Sequence, residues 1–238
     1  MRSLFASAIV SENARGLVAV IPDIKCISPK DGELLRGRDV AEAARQLVRC
    51  GAPLLSVVTE REYFGGSPEL LHSVTQAVEV PVLRKDFITS KDMLLETAEL
   101  GASAVLLIRS ITDEKTLAML YEQAIGLGLE PLVEVCTMEE MQFAARLGAR
   151  LIGINNRNIT ALERDGGGPE RTADLAPGAP KNALLISESG IMSAADARRA
   201  AAAGVNAILV GTALWRARDT RAMYRSLRVE RGVSCDRS

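Results

Sequence analysis

The sequence predicts an α/β fold, a closed (β/α)8 barrel built as a single domain over residues 1–238. Three observations predict it. Four segments share one rhythm: "CGAPLLSVV" (50–58), "LGASAVLLI" (100–108), "LGARLIGIN" (147–155) and "AGVNAILVG" (203–211). Each sets a glycine after a helical stretch, then a small residue, then an apolar strand. Gly51, Gly101, Gly148 and Gly204 recur about every fifty residues, the mark of a repeated supersecondary unit. Four more strand candidates lie between them, which brings the count to eight. The strands are nearly continuously apolar, as expected where both faces of a parallel sheet are buried. Eight such units in a chain of this length point to a closed barrel. A doubly wound open sheet is the structural alternative.

The elements follow in order. "MRSLFASAIV" reads as a plain first helix, because its apolar run is too short for a signal peptide. "LVAVIPDIK" (17–25) is the first strand and Val40–Cys50 the next helix. After strand 50–58 comes the helix Pro68–Val78, with proline at its first position, where no N–H is needed. "PVLRKDF" (81–87) is the third strand, and the helix Lys91–Leu100 leads into the fourth. Glu114–Gly126, "PLVEVC" (131–136) and Met138–Leu147 continue the alternation. Beyond the sixth strand, the glycine- and proline-rich stretch 164–182 predicts a mobile loop with a short helix, overhanging the carboxyl ends of the strands. "LLISES" (184–189), the helix Ala194–Ala203 and strand 203–211 complete the set.

Composition excludes several classes. There are 29 basic and 30 acidic residues, so no long-range field draws nucleic acid or anionic lipid. Any anion must be held by local groups. Cys26, Cys50, Cys136 and Cys235 are scattered, as in a reducing compartment, and no run is long enough to span a membrane. The expected location is the cytoplasm. His72 is the single histidine and sits in an amphipathic helical pattern, so metal sites rich in histidine and histidine-based triads are not expected.

In a barrel of this kind the reacting groups sit at the carboxyl ends of the strands. Those ends carry Asp23 and Lys25, then Ser28; Thr59 and Glu60; Lys85 and Asp86; Glu134; Asn155, Asn156 and Arg157; Glu188, Ser189 and Gly190; and Gly211 and Thr212. Side chains alternate along a strand, so Asp23 and Lys25 share a face while Lys85 points away from Arg84 and Asp86. Glu134 lies between Val133 and Val135, where a carboxylate is costly outside a polar cavity. Singly, each such residue reads as solvation or an ion pair. Two lysines and several carboxylates converging on one mouth shift each other's protonation and supply acid–base chemistry without histidine. The small residues after the last two strands expose backbone N–H groups, where this fold often holds a phosphate.

The motifs "IKCISPKDG", "SVVTEREYFGGSPELL", "PVLRKDFI", "AVLLIRSI", "EPLVEV", "LIGINNRN", "LISESGI" and "ILVGTALW", from about Ile21 to Arg216, resemble the indole-3-glycerol phosphate synthases, TIM-barrel enzymes of tryptophan biosynthesis. The resemblance implies the substrate 1-(2-carboxyphenylamino)-1-deoxyribulose 5-phosphate, closed to a pyrrole ring with loss of carbon dioxide and water. It implies no metal and no organic cofactor. By position, Lys85 matches the general acid of ring closure and Glu134 the carboxylate that stabilises the cationic intermediate. Lys25 matches the lysine that meets the substrate carboxylate and assists dehydration. Asn155, Glu188 and Ser189 match groups that position the ribulose chain and amine. Ser28, Gly190, Gly211 and Thr212 fall on the phosphate site. Arg157 falls beside the anthranilate carboxylate, and Phe64, Phe87 and Leu106 form the apolar wall. Apolar flanks around Lys85 imply a desolvated ammonium and a better proton donor. The implied partner besides substrate is a second copy or another enzyme of the pathway.

Two features depart from the family pattern. Asp23 stands where a glutamate is usual, which withdraws the carboxylate by about 1.5 Å. Sixteen residues precede Leu17, a shortened N-terminal extension where about forty are usual and where an extra helix covers the substrate. Two other readings are therefore open: a paralogous phosphate-binding barrel acting on a different sugar-phosphate or aryl-amine adduct, and a relative that binds its ligand without converting it.

Overall fold

The computed structural model describes residues 4–157 and 168–232. The leading segment forms α1 (Leu4–Ala14) and the first strand β1 (Ala19–Ile24). Beyond β1 the chain makes a small hairpin, β2 (Ile27–Ser28) and β3 (Gly32–Glu33). The remaining strands are β4 (Leu55–Val58), β5 (Val82–Lys85), β6 (Ala104–Ile108), β7 (Glu130–Val135), β8 (Leu151–Asn155), β9 (Leu184–Glu188) and β10 (Ala207–Val210). Apart from the hairpin, each strand pairs in parallel with its neighbours in sequence, and β10 closes on β1. The predicted closed barrel is therefore the observed one, and the open sheet is excluded.

The helices lie between the strands: α2 (Val40–Arg49), α3 (Pro68–Ala77), α4 (Lys91–Glu99), α5 (Glu114–Gly126), α6 (Met138–Leu147), α7 (Glu170–Leu175) and α8 (Ala194–Ala202), then α9 (Thr212–Arg216) and α10 (Thr220–Leu227). Their starts are as regular as their ends. Ser67, Ser90, Thr137 and Ser193 each accept the backbone N–H three residues on, at the heads of α3, α4, α6 and α8. A cap of this kind stabilises a helix by about 1 kcal/mol. The four repeat glycines have φ of +103°, +82°, +74° and +86°, the left-handed turn anticipated from their spacing. Within 164–182, the short helix is α7, and residues 164–167 lie outside the described residues.

Two apolar clusters result from strand alternation. Outward residues such as Val57, Val105, Val133 and Ile152 pack under the helices. Inward residues such as Ile21, Leu83, Leu132, Leu151 and Ile186 fill the barrel. Phe5 and Ile9 of α1 join the inner cluster, both fully buried. The Glu130 carboxylate, at the first residue of β7, accepts the N–H groups of Phe5 and Ala6 at 2.6 and 3.0 Å. So α1 closes the amino-terminal end of the barrel, opposite the predicted site. Burying two such side chains contributes roughly 4 kcal/mol. Among the described residues no helix is long and apolar enough to cross a membrane. His72 is exposed on α3, as its helical pattern suggested.

Candidate active site at the carboxyl ends of the strands

The site grows from the same alternation. Two residues beyond the inward Ile21, Leu83, Leu132 and Ile186 come Asp23, Lys85, Glu134 and Glu188. The next inward layer of the barrel is thus polar, and it rests on an apolar one. Asp23, Glu134 and Glu188 are at most 4 % exposed. The opposite parity sends Arg84 outward to α4.

Lys85 Nζ lies 3.9 Å from Glu134 Oε2 and 3.9 Å from Glu188 Oε2. The ammonium thus sits beside two buried carboxyl groups as well as the apolar flanks read from sequence. Burial, then the charges of Glu134 and Asp23, push Glu188 up to about 8, while Lys85 acts against them. The surroundings thus favour the protonated form of this carboxyl. Its approach depends on β8. A Cβ built on Gly153 would stand 2.0 Å from Glu188 Oε1. Gly153 pairs with Glu134 on one side and with Ile186 on the other. The missing side chain is the space through which Glu188 reaches the lysine.

Above this layer the mouth has two lobes. One is walled by Val58, Phe64, Phe87, Leu106 and Ile108, with Glu60, Asp86 and Asn155 also lining it. The other is polar, lined by Asp23, Lys25, Ser189, Gly190, Gly211 and Thr212. Lys85 and Arg157 line both. Lys25 Nζ lies 5.4 Å from the centre of the Phe64 ring, a cation–π approach between a residue of the polar lobe and one of the apolar lobe. Asn155 Oδ1 accepts the N–H of Arg157 at 3.0 Å, and Asp23 Oδ1 accepts the Ser56 hydroxyl at 2.7 Å. Together the lobes suit a molecule with an apolar ring at one end and an anion at the other.

Of the fifteen residues expected at the site, twelve line one lobe or both, and Glu134 and Glu188 contact Lys85 from below. Ser28 stands apart: it is buried, its hydroxyl meets Asp31 at 3.4 Å, and it is not among the residues lining the polar lobe. The contacts that support this lining were not legible in the sequence. Glu60 accepts the N–H groups of Glu62, Tyr63 and Phe64, which fixes the loop carrying the Phe64 ring. Arg84, 2 % exposed, binds Thr59, Asp86, Glu96 and Thr97 and the carbonyl of Met93. Asp86 in turn accepts the N–H of Phe87 at 2.8 Å. A charge facing a helix was the available signal for Arg84. None was available for Gly153.

Comparison with known proteins agrees with this geometry. The family model described as indole-3-glycerol phosphate synthase matches residues 2–227. A Pyrococcus abyssi protein named indole-3-glycerol phosphate synthase is 42% identical over 207 residues, 87% of this chain and 90% of that protein. The Thermococcus kodakarensis protein of the same name is 44% identical over 209 residues, 88% of this chain and 91% of its own. A third, from Carboxydothermus hydrogenoformans, is 42% identical over 213 residues, 89% of this chain and 80% of its own. The near-equal shares make the first two relatives about as long as this chain, so its length is not peculiar to it.

Proposed function

The chain belongs to the indole-3-glycerol phosphate synthase family, and we propose from that premise how its own residues carry out the family reaction. It is an enzyme, a carboxy-lyase that closes 1-(2-carboxyphenylamino)-1-deoxyribulose 5-phosphate to indole-3-glycerol phosphate with loss of carbon dioxide and water. The observation that carries the residue assignment is the Lys85 ammonium, 3.9 Å from two buried carboxyls and at the junction of an apolar and a polar lobe.

The aryl ring occupies the apolar lobe between Phe64, Phe87 and Leu106. The phosphate lies at the far end of the polar lobe, against Gly190, Gly211 and Thr212. This span brings the ribulose carbonyl over Lys85. The lysine gives its proton to the carbonyl oxygen as the ring carbon that bears the carboxylate attacks the carbonyl carbon. That step puts a positive charge on the arylamine system, which faces the Glu134 carboxylate in a buried setting where such an interaction is strong. Arg157 and Lys25 hold the aryl carboxylate until it leaves as carbon dioxide. Glu188, whose burial favours the protonated carboxyl, donates a hydrogen bond to the ribulose chain, and Asn155 orients the same chain. Lys25 then protonates the new hydroxyl as it departs as water, with Asp23 beside it, while Glu134 takes the proton from the ring carbon next to nitrogen, which forms the pyrrole double bond. Ser28 is left out of the phosphate grip. The shorter Asp23 carboxylate is fixed by Ser56, and the chain length is shared with family members, so neither departure supports a different substrate. The scattered cysteines support a cytoplasmic setting.

The test is steady-state turnover of that substrate with the product identified by mass. Lys85→Ala is expected to retain below about a hundredth of the rate. A variant keeping more than about a tenth would contradict the role given to Lys85.

A further inference from the structure

The chain leaves β9 through two successive residues with left-handed backbone, Ser189 at φ +65° and Gly190 at φ +73°. Glycine adopts this shape freely and serine does not. Both residues line the polar lobe. Such a conformation persists where neighbouring groups over-determine it. Here the neighbour is Asn156, the residue after β8, which is 6 % exposed. Its Nδ2 lies 2.9 Å from the Glu188 carbonyl oxygen, 3.1 Å from that of Ser189 and 3.0 Å from Ser187 Oγ. Its backbone N–H donates to the Glu188 carbonyl as well, at 2.9 Å. On the other side its Oδ1 accepts the N–H and the hydroxyl of Thr172 at 3.0 and 2.9 Å. Those two donors fix which way the amide faces. With Oδ1 committed to α7, Nδ2 has to point at β9.

We propose that Asn156 is a positioning residue: its amide holds the Glu188–Gly190 turn in the left-handed shape that presents the turn to a phosphorylated substrate. The inference rests on the proposed function for the identity of that substrate. Asn156 lines neither lobe, so it acts through β9. The two adjacent asparagines divide the work. Asn155 borders the cavity, and Asn156 frames it.

Asn156→Asp separates this role from general support. The carboxylate still accepts both Thr172 donors and loses the side-chain donors to the turn. Thr172→Val is the control, because it removes the hydroxyl and keeps the N–H that aims the amide. Inorganic phosphate binding is measured by calorimetry and KM by turnover, alongside Tm. Asn156→Asp is expected to weaken phosphate and raise KM together by about tenfold or more. Thr172→Val is expected to lower Tm with both constants within about twofold of wild type. If the buried charge prevents folding, Asn156→Ala is measured in its place with the same expectation. Phosphate affinity and KM within about twofold of wild type in the folded Asn156 variant would overturn the inference. So would equal losses in Thr172→Val, or a wild-type protein that binds no phosphate. A wild-type protein that binds phosphate, responds to the substitutions and yet does not turn over the arylamino substrate would sink the proposed function and leave the positioning role standing.

Discussion

A methyl group at Gly153 would stand 2.0 Å from Glu188 Oε1, a separation that no relaxation of Glu188 alone can absorb without moving the carboxyl. Gly153→Ala is therefore expected to displace Glu188 and to lower kcat by roughly ten- to a hundredfold, since a shift near 1 Å at a reacting centre is that costly. Steady-state kinetics checks it, and an unchanged kcat would remove Glu188 from the chemistry. Asp23 makes a similar argument from the other side. Its carboxylate is bonded to Ser56, and a Cβ at Gly211 would already be 3.4 Å from Asp23 Oδ2. Lengthening this side chain breaks the Ser56 bond or presses on the Gly211 turn. Asp23→Glu is expected to lose about tenfold in kcat/KM with the arylamino substrate. A gain in kcat/KM would mean that the shorter carboxylate is set back from where the reaction needs it.

At the scale of elements, strand and helix spans were legible because each writes its own period into the sequence. The helices predicted at Glu114–Gly126 and Met138–Leu147 are the observed α5 and α6, those predicted at Val40–Cys50, Pro68–Val78, Lys91–Leu100 and Ala194–Ala203 end one residue earlier than predicted, and α1 runs four residues beyond the stretch read as the first helix. Lys85 and Glu134 were legible too, because a charge inside an apolar strand has to be solvated by something. Gly153 and Asn156 were not. Their roles depend on which residues of adjacent strands lie side by side, and no local pattern encodes that register. Ser28 was placed by likeness alone, and its hydroxyl meets Asp31 at 3.4 Å. Arg84 shows how much an outward residue can bear on the site. It ties β5 to α4 and holds Asp86, whose other oxygen fixes the N–H of Phe87 beside Lys85. Glu96 is 44% exposed and adds little, so the buried partners matter most. Arg84→Met leaves Asp86 without its cation, held only by the Thr59 hydroxyl and the Phe87 N–H, and is expected to cost about 3 kcal/mol. That corresponds to a fall of roughly 6–12 °C in Tm by thermal unfolding. Arg84→Lys is expected to recover little of this, because an ammonium cannot reproduce the planar fork of donors. A methionine variant that melts with wild type would show the clamp to be dispensable.

At the scale of the whole molecule, the polar layer couples the site to stability. Folding carries Glu188 into a buried layer with Glu134, Asp23 and Lys85 around it, and its carboxyl rises from 4.5 to about 8. Between those values the native chain holds a proton that the unfolded chain has released. The stabilisation linked to that proton is complete below about pH 4.5 and is lost as pH rises through about 8. Glu130, raised by its burial under α1, shifts in the same direction. The lowered carboxyls Asp113 and Asp196 have the opposite sign, and their effect belongs to acid below their ordinary range. Burial raises the Tyr224 hydroxyl and pushes the Cys136 thiol up to about 12, so both hold their protons in the native chain beyond their ordinary values of 10 and 9. A window of pH 5 to 8, below the ordinary range of both, therefore isolates the buried carboxyls. Across it, Tm of the wild-type protein is expected to fall, and Glu188→Gln, which is neutral at every pH, is expected to flatten the fall to what Glu130 leaves. Parallel slopes for the two proteins would mean that Glu188 is ionised in the native state at neutral pH. The hydrogen bond it is proposed to donate to the substrate would then be lost with its proton.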